Sequence, residues 1–165
     1  ESGRPRYVEA SETEVDDLAG HYGVFNNRGA ARKMLASVAQ EMQLCQKLLG
    51  LETGTGPCFA HQIKRCRGAC VGAESQAAHL ARLKEAIERY RIPAWPHGGA
   101  IAIGERRTHR ESWQVFDRWC YLGSAATRTD AELLARERER RFDADAFRIL
   151  MNHLRRKPDA EVICF

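Results

Sequence analysis

Apolar residues recur at helical spacing in two stretches of the first half of the chain. In RGAARKMLASVAQEMQL, Ala31, Met34, Leu35, Val38, Ala39 and Met42 share one face of a roughly 3.6-residue period, and Asn26 or Asn27 stands ready to cap. The spacing predicts a helix from Arg28 to about Leu44. A second helix opens near Ser75, with Leu80, Leu83, Ile87 and Tyr90 as its stripe and Pro93 and Pro96 as its stop. Beyond the prolines the period changes to two. AIAIGER and ESWQVFDRWCYLG read as strands joined in a hairpin through Arg107 to Arg110. In the second of them Trp113, Val115, Trp119 and Tyr121 fall on one face, and Phe116, Cys120 and Leu122 on the other.

Two further helices follow. Thr129 with Glu132 forms a capping box for one that runs to about Arg140. Asp143 caps another, whose Phe147, Leu150, Met151 and Leu154 face inward and which Pro158 ends; EVICF is a final strand. At the other end, Tyr7-Val8 is a short strand candidate ahead of a polar, acidic connector. The fold class is therefore α+β: residues 1–20 as a linker or the tail of an upstream module, 21–92 as a helical module rich in cysteine, and 93–165 as a small hairpin-plus-helices unit. No internal repeat is visible.

A chain of 165 residues has room for one domain or two small ones. No apolar run nears the roughly 18 residues that a membrane span needs, so no membrane role is expected. The first residue is Glu1 and no charged-then-apolar leader follows, which leads us to expect a processed form or a piece of a longer protein, with the parent's catalytic part elsewhere.

Net charge is +4, too small to identify a partner, but its distribution is uneven. Pro57 to Arg91 carries 7 basic and 3 acidic residues, whereas Glu1 to Gly56 carries 6 and 8. The surplus coincides with the cysteines. Of six, Cys45, Cys58, Cys66 and Cys70 lie close together, and Cys120 and Cys164 stand apart in strands. Clustering at this modest density argues for four ligands plus two packing residues in a reducing cytoplasm, and against a secreted disulfide scaffold.

Twelve, seven and three residues separate the four. Thiolates are soft donors and hold either zinc or an iron-sulfur cluster. Structural zinc favours two close knuckles, and only Cys66 with Cys70 forms one, so the spacing leans towards a four-iron cluster with zinc as the alternative. Were Cys58 to Cys66 one unbroken helix, eight rises of about 1.5 Å would part their Cα atoms by about 12 Å. Cys58 must then sit at or before a helix start, or the chain must bend ahead of Cys66, after which the Arg67-Gly68-Ala69 turn brings Cys70 back. His61 is a ligand or, more in keeping with its surroundings, a neighbour of the ligands.

Either centre leaves roughly two negative charges on its four thiolates. Lys64, Arg65 and Arg67 can offset that charge, can simply be solvated, or, together with Arg82 and Arg89 on the following helix, can contact phosphates of DNA.

CFAHQIKRCRGACVG resembles the cysteine region of the bacterial excision-repair endonucleases UvrC and Cho, of the form C-x-x-Y-Q-I-x-x-C-x-x-P-C-V-G. Cys58, Gln62, Ile63, Cys66, Cys70, Val71 and Gly72 match it, and Cys45 stands where that family has an earlier cysteine. YGVFNNRGAARKML is similar to the family's G-P-F-x-S-x-x-A-A helix start. His61 replaces the usual tyrosine, and Ala69 the proline before the last cysteine. AWPHGGAIAIGE and DRWCYLGS resemble the carboxy-terminal part of bacterial proteins that fuse a DnaQ-type exonuclease to a Cho-like nuclease. The resemblance implies an iron-sulfur-bearing region beside a DNA-cutting GIY-YIG module. Neither a GIY nor a YIG triplet occurs in this chain, so none of that module's catalytic residues can be carried over.

Other chemistry is weakly signalled. Asp143 and Asp145 with His153 suggest a hydrolytic metal site, but helix capping and the helix dipole account for both aspartates. Gly54 lacks the lysine and preceding strand of a phosphate loop. ARERERRF reads as a solvated helix face with local ion pairs. Trp113 and Trp119 offer a stacking platform for an unpaired base or, as their alternation favours, a core face. The expected function is the non-catalytic, DNA-positioning part of a UvrC/Cho-like repair nuclease; the rival is a zinc-stapled module that binds protein and no DNA.

Overall fold

A computed structural model describes residues 4–13, 18, 20–107, 110–137, 139–156 and 162–165. The chain divides into two compact units, Glu1–Tyr7 with Tyr22–Arg91, and Val8–His21 with Ile92–Phe165. Helices dominate the first and an antiparallel sheet the second, an α+β fold.

In the first unit α1 is Arg28–Glu41, α2 is the single turn Phe59–Gln62, and α3 is Gln76–Glu88. Of the two asparagines it is Asn27 that caps α1, its Oδ1 accepting from the Ala30 N–H at 2.9 Å. Ser75 caps α3 in the same way. Leu35, Val38 and Ala39 of α1 close on Leu44, Leu49, Leu83 and Ala86, with Leu80, Ile87 and Tyr90 at the margin.

α1 stops three residues earlier than its periodicity predicts. Gln43 takes a left-handed conformation (φ 50°), and the Leu44 N–H reaches back to the Ala39 carbonyl at 2.8 Å while the Gln43 N–H bonds Gln40. That is a Schellman ending, usually built on glycine. Tyr7-Val8 forms no strand; Tyr7 instead lies under the Arg28 guanidinium, 5.1 Å from its ring centre.

The second unit holds β1 (Ile101–Arg107), β2 (Arg110–Asp117), β3 (Cys120–Ala125), α4 (Arg128–Ala135), α5 (Ala144–Arg156) and β4 (Val162–Cys164). The sheet order is β3-β2-β1-β4, antiparallel throughout. The predicted hairpin closes at the expected pair, Arg107 opposite Arg110. What was read as one long second strand is two. Arg118 and Trp119 both lie at positive φ (49° and 68°), so the chain reverses there and Asp117 pairs with Cys120. Such a turn normally advertises itself with Asn-Gly. Here the indole supplies the compensation: Trp119 is buried, donates to the Pro93 carbonyl at 2.8 Å, and packs edge-on against Trp95 and Phe147.

On the sheet Ala102, Trp113, Val115 and Ala125 meet Ala131 of α4. α4 begins two residues ahead of the predicted capping box, with Thr127 as cap and Asp130 as its partner, and ends at Ala135 instead of running to Arg140. Asp143 caps α5 as expected, accepting from Asp145 and Ala146, and Asp145 pairs with Arg148 at 2.7 Å. Those bonds account for both carboxylates. Pro158 lies outside the described residues. Cys120 is buried, but Cys164 is exposed on the edge strand β4, a correction to its expected core position. No helix among the described residues is long and apolar enough to cross a membrane.

Candidate metal centre

Each of the four clustered cysteines is placed by a local backbone device, and two of the devices are the same. Cys45 follows directly on the Gln43-Leu44 turn that ends α1. Cys66 follows directly on Lys64-Arg65, where Lys64 is left-handed (φ 59°), its N–H bonds His61 at 2.9 Å, and the Arg65 N–H bonds Ala60 at 2.7 Å. Both are Schellman endings without glycine, and the Arg67 N–H links the second to the first through the Gln43 carbonyl. Cys58 is the residue before α2 and the chain also turns at Lys64 ahead of Cys66, so both of the arrangements that helix length allows are present. Cys70 sits in a 3₁₀ turn, Ala69–Val71, entered through Gly68 (φ 82°). A Cβ at Gly68 would lie 2.7 Å from the His61 ring, so this position tolerates no side chain.

The sulfurs of Cys45, Cys58 and Cys66 all lie within 4.8 Å of one another, with Cys45 and Cys58 at 4.0 Å, and none is in a disulfide. The Cys70 Sγ accepts from the Cys58 N–H at 3.4 Å, and the Cys66 Sγ from the Gly68 N–H at 3.3 Å. Backbone N–H groups aimed at sulfur stabilise thiolates. Ala60 and Ala69 enclose the group, and Leu48 packs beside it.

Burial pushes the Cys58 thiol up to about 11 and raises Cys45 and Cys66 as well. Cys70 is held below its ordinary value: burial raises it, but the Cys58 N–H and the thiols of Cys45 and Cys58 donate to it and prevail. Three buried neutral thiols packed sulfur to sulfur have little to gain from one another, whereas a soft cation that displaces their protons satisfies all of them. The donor set therefore fits a metal centre.

One residue of the site escaped the sequence reading. His79 of α3 is buried, and its Nε2 accepts from the Cys45 N–H at 3.0 Å. That bond requires a neutral ring with its proton on Nδ1, and burial lowers the pKa accordingly. Its position four residues before Leu83, on the buried side of α3, was the available signal. His79→Leu is expected to weaken metal binding about 10–100-fold, measured by chelator competition, with partial recovery in His79→Gln, whose amide oxygen can accept. His61 lies outside the group of three sulfurs; its Nδ1 faces the Cys66 carbonyl at 3.3 Å.

The basic residues divide into two groups. Lys64, Arg65 and Arg67 are exposed. Arg82 is largely buried, its side chain 14% exposed, and grips Glu74 with Nε and Nη2 while Nη1 donates to the Met42 carbonyl. The role in phosphate contact expected of Arg82 thus gives way to a structural one, because its donors point inward. Arg89 is exposed but pairs with Glu41 at 2.5 Å.

Thiols knotted between helices, with a small helix-backed sheet later in the chain, define a cysteine-stapled α+β protein. The chain belongs to the UvrC/Cho excinuclease family: residues 2–89 match the model for the UvrC/Cho excinuclease middle domain, and residues 100–165 the model for the excinuclease Cho C-terminal domain. It is 37% identical over 149 residues to excinuclease cho of Shigella flexneri and 39% identical over 149 residues to that of Salmonella typhi, covering 89% of this chain and 50% of each relative. UvrABC system protein C of Gemmatimonas aurantiaca is 32% identical over 75 residues, 44% of this chain and 12% of that protein. The chain spans about half the length of the excinuclease cho relatives it matches. No solved structure matches it.

Proposed function

We propose that this chain is the DNA-positioning part of an excision-repair nuclease, and that its four cysteines carry an iron-sulfur cluster as a structural staple. The observation that carries the DNA role is the trio Lys64, Arg65 and Arg67, exposed on the short stretch between Cys58 and Cys70, on either side of Cys66. Such a stretch presents fixed positive charge to phosphates and gives affinity that depends on salt and not on sequence. Arg89, already paired with Glu41, adds less. The cutting module belongs to a longer parent, and this chain orients it on the duplex.

For the cluster the support is the wide ligand spacing, with seven residues between Cys58 and Cys66. A zinc reading has its own support. Four sulfurs at about 2.3 Å from one tetrahedral ion stand about 3.8 Å apart, close to the 4.0 Å between Cys45 and Cys58. A four-iron cube binds each thiolate to a separate iron and needs them spread further.

Iron, zinc and sulfide analysis with a visible absorption spectrum, on anaerobically prepared protein, separates the two; a colourless sample with one zinc and no sulfide removes the iron-sulfur reading. Replacing Lys64, Arg65 and Arg67 together by glutamine is expected to reduce the slope of log affinity against log salt by about 2 to 3 on a mixed-sequence duplex, with metal content unchanged. Wild-type protein that binds neither a paired nor a bubble duplex at low salt removes the DNA role.

A further inference from the structure

We propose that Phe59 and Ile63 form an apolar wedge that inserts into duplex DNA at a step whose base stacking is already weakened. The inference rests on the DNA-positioning role above and assigns the contact made there. In α2 the Ile63 N–H donates to the Phe59 carbonyl at 3.2 Å, which sets the two residues one turn apart on the same side. Both are turned to solvent, Phe59 62% and Ile63 44% exposed. An ordinary amphipathic turn would bury them. This one cannot, because its inner side is taken by Ala60 and the cysteine sulfurs.

Rigidity is the second feature. The turn begins at Cys58, is capped by the Glu52 carboxylate on the Phe59 N–H at 3.1 Å, and ends in the Schellman bonds that deliver Cys66. With cluster ligands on both sides, the apolar pair is held at a fixed height above the staple. A wedge needs that stiffness, since a soft one folds back instead of parting two bases.

Charge identifies the occupant. Lys64, Arg65 and Arg67 border the pair and are exposed. Protein–protein interfaces use arginine but are depleted in lysine, and three cations on a stretch with no acidic residue from Pro57 to Ala73 suit an anionic polymer better. Phenylalanine and isoleucine flanked by lysine and arginine are what proteins use to unstack and kink a duplex, with the cations on the neighbouring phosphates.

The test uses the full chain with its metal loaded, wild type and Phe59→Ala/Ile63→Ala. It compares a fully paired duplex with one carrying an abasic position beside 2-aminopurine. Wild type is expected to favour the abasic duplex about tenfold and to raise 2-aminopurine fluorescence as the base unstacks. The double variant is expected to bind the paired duplex within about twofold of wild type, with the same salt slope, and to lose both the preference and the fluorescence rise. Metal content equal to wild type shows that the staple is intact. If the variant loses metal, Phe59→Gln alone is measured, and it must lose most of the fluorescence rise. A variant that keeps the preference overturns the wedge and leaves the DNA role standing, the patch then being a protein contact. A wild-type chain that binds neither duplex overturns both.

Discussion

Cys66→Ser is expected to empty the metal centre, while Cys164→Ser leaves metal content at the wild-type level. Serine replaces a soft, polarisable donor with a hard hydroxyl that is not deprotonated near neutral pH, so it contributes almost nothing to a thiophilic centre. Changes in groups that only support a ligand cost about 10–100-fold in affinity, and loss of a ligand should exceed that range. The consequence reaches beyond the metal. Cys45, Cys58 and Cys66 come from three separate stretches of backbone, and without a shared ion only a small apolar contact among alanines and thiols connects them. Metal-binding free energy in such a site is largely folding free energy. The first unit should therefore melt at a lower temperature and with less cooperativity, as followed by circular dichroism at increasing temperature. Cys164, exposed on the edge strand β4, serves as the control. Equal metal loss in both variants would show the ligands to be wrongly chosen.

Uptake itself should release thiol protons. Because burial holds Cys58 near 11 and raises Cys45 and Cys66, these thiols are protonated at neutral pH before metal arrives, and affinity should weaken as pH falls. Burial stabilises these neutral thiols in the metal-free fold. That contribution is complete below the unfolded thiol range and is lost as pH rises through the raised folded values.

Much of this arrangement was legible in the sequence. Helical periodicity located α1 and α3, the Asn26-Asn27 pair offered the cap of α1 and Asp143 that of α5, and the rise of a helix required either that Cys58 precede α2 or that the chain bend ahead of Cys66. What was hidden shares one cause. Gln43, Lys64, Arg118 and Trp119 are left-handed without being glycine or asparagine, so no local preference marked the places where the backbone turns. Surrounding structure stabilises those turns: the packing of Leu44 and Cys66, and the buried indole of Trp119. Two of the three hidden turns deliver the candidate ligands Cys45 and Cys66, so the site's geometry was less legible than its composition. His79 was missed for a related reason. A histidine on an apolar helix face carries no sign of what it faces until the fold sets the Cys45 N–H against it.

Arg82→Ala is expected to destabilise the first unit by about 3–5 kcal/mol and to leave the salt dependence of DNA binding unchanged wherever the protein is still folded. Glu74, its side chain 10% exposed, would keep a carboxylate in a buried position with its guanidinium partner gone. The Met42 carbonyl would lose its Arg82 donor in the same stroke. Met42 is the last helical cap before the Gln43-Leu44 turn, so the disturbance reaches Cys45 within three residues. Arg82→Lys should recover little, since one ammonium cannot hold both carboxylate oxygens and the carbonyl together. Arg82→Ala with Glu74→Gln should recover part of the loss, because the buried charge is removed along with its partner. Denaturant unfolding of the three variants separates this role from a phosphate contact: a surface arginine used only for DNA would lower the salt slope by about one and leave the unfolding midpoint alone.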